Sequence, residues 1–204
     1  RALAALRRQV LDVYLEIAKD RKAARRNRCW FYDSQINWCA ACNEYFAVSC
    51  LLALDDPIER ATAIELAERS TKCYFAGFTE DGMSLEGAGY WSYGFGQYLR
   101  LGLMASRATD GRVDFFSSPR VKACVRSGFD TYYNDNGAPA YGDCKIDLNC
   151  ETTWYLAGLV WPEFATEKTN RAAESSWSLP LAMIRLFPVG GHAPDTIRAS
   201  RIYP

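Results

Sequence analysis

The sequence predicts an all-α protein made of antiparallel helical hairpins, and three observations predict it. Apolar residues recur at helical spacing from the first turns onward. Asp55-Asp56-Pro57 reads as a tight connection between two helices, short enough to make them antiparallel neighbours. No segment shows the apolar–polar alternation of a half-buried strand.

The elements follow in order. Leu3, Leu6, Val10, Val13, Tyr14 and Ile17 form one face of an amphipathic helix that fades in the basic run Arg21, Lys22, Arg25, Arg26 and Arg28. That run reads as a solvated helix end, where cations are favoured. Residues 36–54 make a second helix dense in small and apolar residues, so it is expected to be central. The third starts with Asp56 as cap, Pro57 in the first turn and Glu59 where a capping-box acid belongs, runs to about Tyr74, and is ended by Gly77. A glycine-rich loop, 82–89, leads into a helix over 90–105. Another helix is expected over 119–133, then a loop over 134–147, and shorter helices over 152–161 and 178–186. The tail from Pro188 has Pro and Gly and no periodicity. The expected organisation is a helical domain over 1–187 and a linker over 188–204, without a strict short repeat.

The 204 residues suffice for one domain with a core, or for part of a larger one. The 24 basic and 24 acidic residues cancel, which removes the electrostatic footprint of a nucleic-acid binder. No apolar run approaches the roughly 20 residues of a membrane span. Arg1 opens an amphipathic helix rather than a signal peptide, and there is no initiator Met, so a fragment or processed chain is expected. Cys39 and Cys42 have redox-motif spacing but no βαβ context, and read as small hydrophobes in an apolar helix. A Cys144–Cys150 disulfide is open. With a single histidine, no metal or cofactor is called for.

The chemistry concentrates in residues 80–98. Glu80, Asp81 and Glu86 sit among Gly82, Gly87 and Gly89, followed by Tyr90, Trp91 and Tyr93. Glycines allow close backbone approach, and aromatic faces between acids suit sugar rings. A capped loop whose aromatics enter the core explains the same composition. Asn37 opens the second helix, as a cap or as a donor to a carboxylate. Tyr141 and Asp143 lie in a loop that also reads as a plain turn.

The ordered set Asn37-Trp38, Cys42-Asn43, Asp81-Gly82, Glu86-Gly87 and Tyr90-Trp91-Ser92-Tyr93-Gly94 resembles the heparinase II/III-like family. Leu179-Pro180-Leu181-Ala182-Met183 is similar to a last toroid helix. The resemblance implies an incomplete (α/α) toroid and, in the same parent chain, a β-sandwich that this chain lacks. It also implies β-elimination on an acidic, uronate-containing polysaccharide or oligosaccharide. Asn37 would hold the uronate carboxylate. Tyr90, with Tyr93 as the competing assignment, would act as base and acid. Trp38, Glu86, Trp91, Tyr141 and Asp143 would line the substrate groove. His192 is the one candidate for the family's further catalytic histidine, and Trp38 stands where some members carry a histidine. A periplasmic or secreted location comes from the resemblance alone. Two other readings stay open: a glycoside hydrolase using two of Asp81, Glu86, Asp135 and Asp143, and a non-catalytic glycan-binding domain.

Overall fold

The computed structural model describes residues 2–20, 22, 29–132, 137–144 and 150–165. The expected helix over 178–186, the tail, Asp135 and His192 lie outside the described residues. Within them the chain is helical. Among the described residues no strand forms, and Phe78 and Ser84 make an isolated antiparallel bridge. No helix among the described residues is long and apolar enough to cross a membrane.

The N-terminal helix is not one regular α-helix. Helix α1 (Ala2–Leu6) passes through a π-helical turn (Arg7–Leu11) into α2 (Asp12–Lys19). A π turn inserts extra residues and rotates the apolar stripe. Leu11, Tyr14, Leu15 and Ile17 are therefore buried, while Leu3 and Leu6, expected on the core face, stay exposed.

Helix α3 (Asn37–Ala53) and helix α4 (Pro57–Tyr74) form the expected hairpin. Asp56 caps α4 by accepting from the Ile58 N–H at 2.8 Å. The capping box does not close, because Glu59 reaches across to Arg7 instead. A 3-10 turn (Phe75–Gly77) carries the chain out of α4. Helix α5 (Ala88–Ala108), α6 (Pro119–Thr131) and α7 (Glu151–Val160) follow.

Contacts fix the helix directions. Along α3 and α5, Asn37 sits beside Gly94 and Glu44 beside Arg100, so both chains advance together and the helices are parallel. Ser92 and Gly96 of α5 meet Thr153 near the start of α7. Cys39 of α3 meets Ser70 near the end of α4, so α4 runs back against α3. On α6, Cys124 meets Trp91 of α5, and Tyr132, just past its end, reaches Ala88 at the α5 start. Helix α6 thus runs back in the same way. The result is a layer of alternate helices, α3, α5 and α7, with α4 and α6 returning behind it.

Two apolar clusters stabilise this arrangement. One surrounds Trp91, Phe95 and Tyr98 of α5 and reaches α4, α6 and α7. The other joins Leu11, Tyr14 and Ile17 of the N-terminal helix to Phe31, Tyr32, Cys50 and Leu66. Between them runs a buried polar chain. Asn43 accepts from Tyr14 at 2.9 Å and donates to Ser70 at 2.7 Å, and Ser70 donates to the Tyr32 carbonyl at 2.6 Å. Asn43, part of the motif that carried the resemblance, thus ties α2, α3 and α4 together.

Candidate functional site

Helix α3 lacks a cap of its own. Ile36 occupies the cap position in an extended conformation; its carbonyl accepts from the Cys39 N–H at 2.9 Å, but it has no side-chain acceptor for the first free N–H groups. The acceptor comes from 49 residues away: Glu86 Oε2 accepts from the Asn37 backbone N–H at 2.6 Å, and Oε1 accepts from Asn37 Nδ2 at 2.8 Å. An anion at a helix N-terminus is favoured by the free N–H groups and the helix dipole. Glu86 therefore caps α3 and grips the first side chain of that helix. Asn37 is not itself the cap. It is only 3% exposed, and its Oδ1 has no hydrogen-bond partner among the described residues.

The loop after α6 holds Glu86 in place. The Asp143 N–H donates to the Glu86 carbonyl at 3.3 Å. Gly142, at φ +60°, lies so close that a Cβ would meet that carbonyl oxygen at 2.5 Å. Gly87, at φ +101°, lies against the Tyr141 carbonyl in the same way. Both positions demand positive φ and leave no room for a side chain. Residues 141–143 thus act on the site through backbone. Tyr141 is half-buried, with burial pushing its phenol up, and the Asp143 side chain is exposed.

Helix α5 brings the tyrosines alongside. Gly94 is the point of closest approach to α3: a Cβ there would be 2.9 Å from Asn37 Cβ. Tyr90 lies one turn earlier on that same face and is 36% exposed. Tyr93 is 40% exposed and its hydroxyl is 3.5 Å from that of Tyr45. Burial, with Tyr45 second, raises the Tyr93 phenol to about 12. The two tyrosines, equivalent in sequence, are thus in different settings. Tyr90 is on the Asn37 side, and Tyr93 belongs to a group with Tyr45 and Gln97.

Trp91 is not a groove residue. Its indole is 2% exposed, its N–H donates to the Cys124 carbonyl at 3.0 Å, and its ring fills the space above Gly128, where a Cβ would lie 1.8 Å from the ring. The next residue along a helix from an exposed one turns about 100° away, and here that turn points into the core. Trp38 is 46% exposed and meets the exposed Trp30 edge to face at 6.2 Å. Trp30 escaped the sequence reading because it lies before the helix in a 3-10 turn, outside any motif.

A further group was also missed. Glu44 of α3 pairs with Arg100 of α5 at 3.4 Å, with both side chains nearly buried. Burial raises the Glu44 carboxyl, and Arg100 partly opposes that. Gln97 donates to the Tyr45 hydroxyl at 3.0 Å. The sequence signal was present: a carboxylate inside an otherwise small and apolar helix needs a partner when buried. Asp81 stays on the loop, exposed and bonded to Thr79, whose hydroxyl holds its carboxyl below the ordinary value. The thiols of Cys39 and Cys42 are raised by burial to about 12 and about 11, away from the thiolate form that redox exchange needs.

Comparison of the chain with protein-family models, with curated proteins and with solved structures returned no match.

Proposed function

We propose that this chain is the helical part of a polysaccharide lyase that cleaves uronate-containing polysaccharide by β-elimination. The observation that carries the reading is the Asn37 amide, gripped by Glu86 at one hydrogen and placed beside the face of α5 that bears Tyr90. An amide nitrogen has two hydrogens. With one bound to Glu86, the amide keeps a donor and the unpartnered Oδ1 acceptor together. That pair matches the C=O and O–H of a uronic carboxyl group. Holding the carboxyl neutral stabilises the charge that develops when the neighbouring C5–H is lost.

The reaction then balances as follows. A base takes the C5 proton, the C–H electrons form the C4=C5 double bond, and the C4–O bond breaks. The leaving oxygen takes a proton. Tyr90 serves as the base in its phenolate form and then as the acid. Tyr93 holds its phenol proton firmly, raised to about 12 by burial and then by Tyr45. The alternate-helix layer of α3, α5 and α7 supports reading the fold as part of an (α/α) toroid, whose inner ring is built this way. In that frame both Asn37 and Tyr90 stand near the N-terminal ends of inner helices.

Elimination yields a conjugated unsaturated uronate that absorbs in the ultraviolet, and hydrolysis does not. With uronate polymers, Tyr90→Phe is expected to lower the rate of that absorbance change by about 100-fold or more, and Tyr93→Phe by far less. Asn37→Ala is expected to act as strongly as Tyr90→Phe. New reducing ends without absorbance would favour the hydrolase reading, and binding without either product would favour a glycan-binding domain.

A further inference from the structure

The loop that clamps Glu86 ends in a cysteine. Cys144 follows Asp143, and its Cβ lies 2.9 Å from where a Cβ on Gly87 would stand. Cys150 sits at the turn into α7. Its Sγ shares a hydrogen bond with the Tyr132 hydroxyl, and that hydroxyl reaches the Ala88 carbonyl at 3.4 Å. The two cysteines thus stand against neighbouring residues of one backbone segment, Gly87 and Ala88. Both carry reduced thiols, Cys144 half-buried and Cys150 buried. Burial is the first cause that raises the Cys150 thiol, and the charge of Cys144 adds to it, so the two sulfurs sense one another.

The backbone around them can bring them together. A disulfide needs Cα atoms roughly 4.4–6.8 Å apart. Neither Cys144 nor Cys150 lies within a helix, so each can shift without breaking helical hydrogen bonds. Only a short loop has to close between them. Cys39, Cys50 and Cys124 are held inside helices and fully buried.

We propose that Cys144 and Cys150 are a redox-modification site, at which a small disulfide of the glutathione class joins them and pins residues 141–144 over Glu86 and Gly87. Cys144, the more accessible, attacks the small disulfide as a thiolate. A mixed S–S bond forms, and the first glutathione sulfur leaves. The Cys150 thiolate then attacks the Cys144 sulfur, the Cys144–Cys150 bond forms, and the second glutathione sulfur leaves. The two thiol protons end on the two glutathione sulfurs, and the two electrons lost by the cysteines reduce the small disulfide. The Cys150 sulfur gives up its bond to Tyr132, whose hydroxyl keeps the Ala88 carbonyl. The clamp is then tied to the start of α7, and Glu86 is held against Asn37 more firmly than in the reduced protein. This holds whatever chemistry Asn37 serves.

The test uses the full chain, reduced and then equilibrated with oxidised glutathione. Trypsin cuts after Lys145, so the two cysteines leave on separate peptides. Mass spectrometry without reduction is expected to find those two peptides joined. In Cys150→Ser the Cys144 peptide is expected to carry glutathione instead. The oxidised wild type is expected to melt about 5 °C above the reduced one, as closing a short loop in the unfolded chain predicts. Hydrogen exchange at the Asp143 N–H, which bonds the Glu86 carbonyl, is expected to slow about tenfold on oxidation. Peptides that stay separate, or Cys144 joined to any other cysteine, overturn the pair. A joined pair with unchanged exchange at Asp143 overturns the clamp on Glu86. Reduced and oxidised wild type are compared directly, so the result stands even if Cys150→Ser fails to fold.

Discussion

Glu86 spends both carboxylate oxygens on Asn37, one on its backbone and one on its amide. Its part in any chemistry is therefore to position Asn37 rather than to touch the sugar. Glu86→Gln keeps the shape but turns one acceptor into a donor facing an N–H. We expect about 1 kcal/mol of lost stability, the usual worth of a helix cap, seen as a lower thermal midpoint. We also expect a fall in kcat larger than any rise in KM, because the amide loses its fixed orientation while the side chains of α5 stay in place. A rise in KM alone would mean that Glu86 contacts substrate directly. Cysteines give a second residue-scale expectation. Cys39, Cys50 and Cys124 are fully buried and their thiols are raised to about 12 by burial. At neutral pH they should resist iodoacetamide in the folded protein and react once it is unfolded, as mass spectrometry would read. Rapid alkylation of Cys39 in the native state would revive the redox reading of the Cys39–Cys42 pair.

At the scale of elements, the spacing of α3 and α5 is set by a glycine. An added Cβ at Gly94 would lie 2.7 Å from the Tyr74 hydroxyl oxygen and 3.0 Å from Asn37 Cα. The second of these is backbone and cannot swing aside. Gly94→Ala gains up to roughly 1 kcal/mol of helix propensity but forces the helices apart, and overpacking of this kind costs roughly 1–3 kcal/mol. The clash should win, so the denaturant midpoint should fall. Elimination activity should fall with it, since α3 carries Asn37 away from the Tyr90 face. An unchanged midpoint would show that the two helices slide without cost, and that the site does not depend on this close approach.

At the scale of the whole molecule, local signals were legible and long-range ones were not. Asp56-Pro57 announced the α3–α4 hairpin, because a cap and an N-terminal proline act within one turn. The glycines of the 82–89 loop marked a backbone that turns sharply beside the start of α5. The π turn at Arg7–Leu11 left no mark in the apolar spacing, which reads the same until the helix is packed. Glu86 as the cap of α3, and Glu59 as the partner of Arg7, were out of reach because each acts across about 50 residues or more of sequence. The Glu44–Arg100 pair was hidden for the same reason, and it governs how the fold responds to acid. Burial, the larger effect, raises the Glu44 carboxyl above its ordinary 4.5, and Arg100 only partly opposes this. The folded state therefore holds the Glu44 proton more firmly than the unfolded chain does. By linkage, the stability from this group is fully present below the unfolded value, near 4.5, and is lost as pH rises through the higher folded value. Glu44→Gln cannot titrate and removes this dependence alone, while the exposed carboxylates titrate in both proteins. Wild type should thus lose stability relative to Glu44→Gln as pH rises from the acid range towards neutrality, measured by thermal midpoints across pH. The opposite trend, with wild type gaining on the variant as pH rises, would mean that attraction to Arg100 outweighs burial. The buried pair would then add to stability at neutral pH.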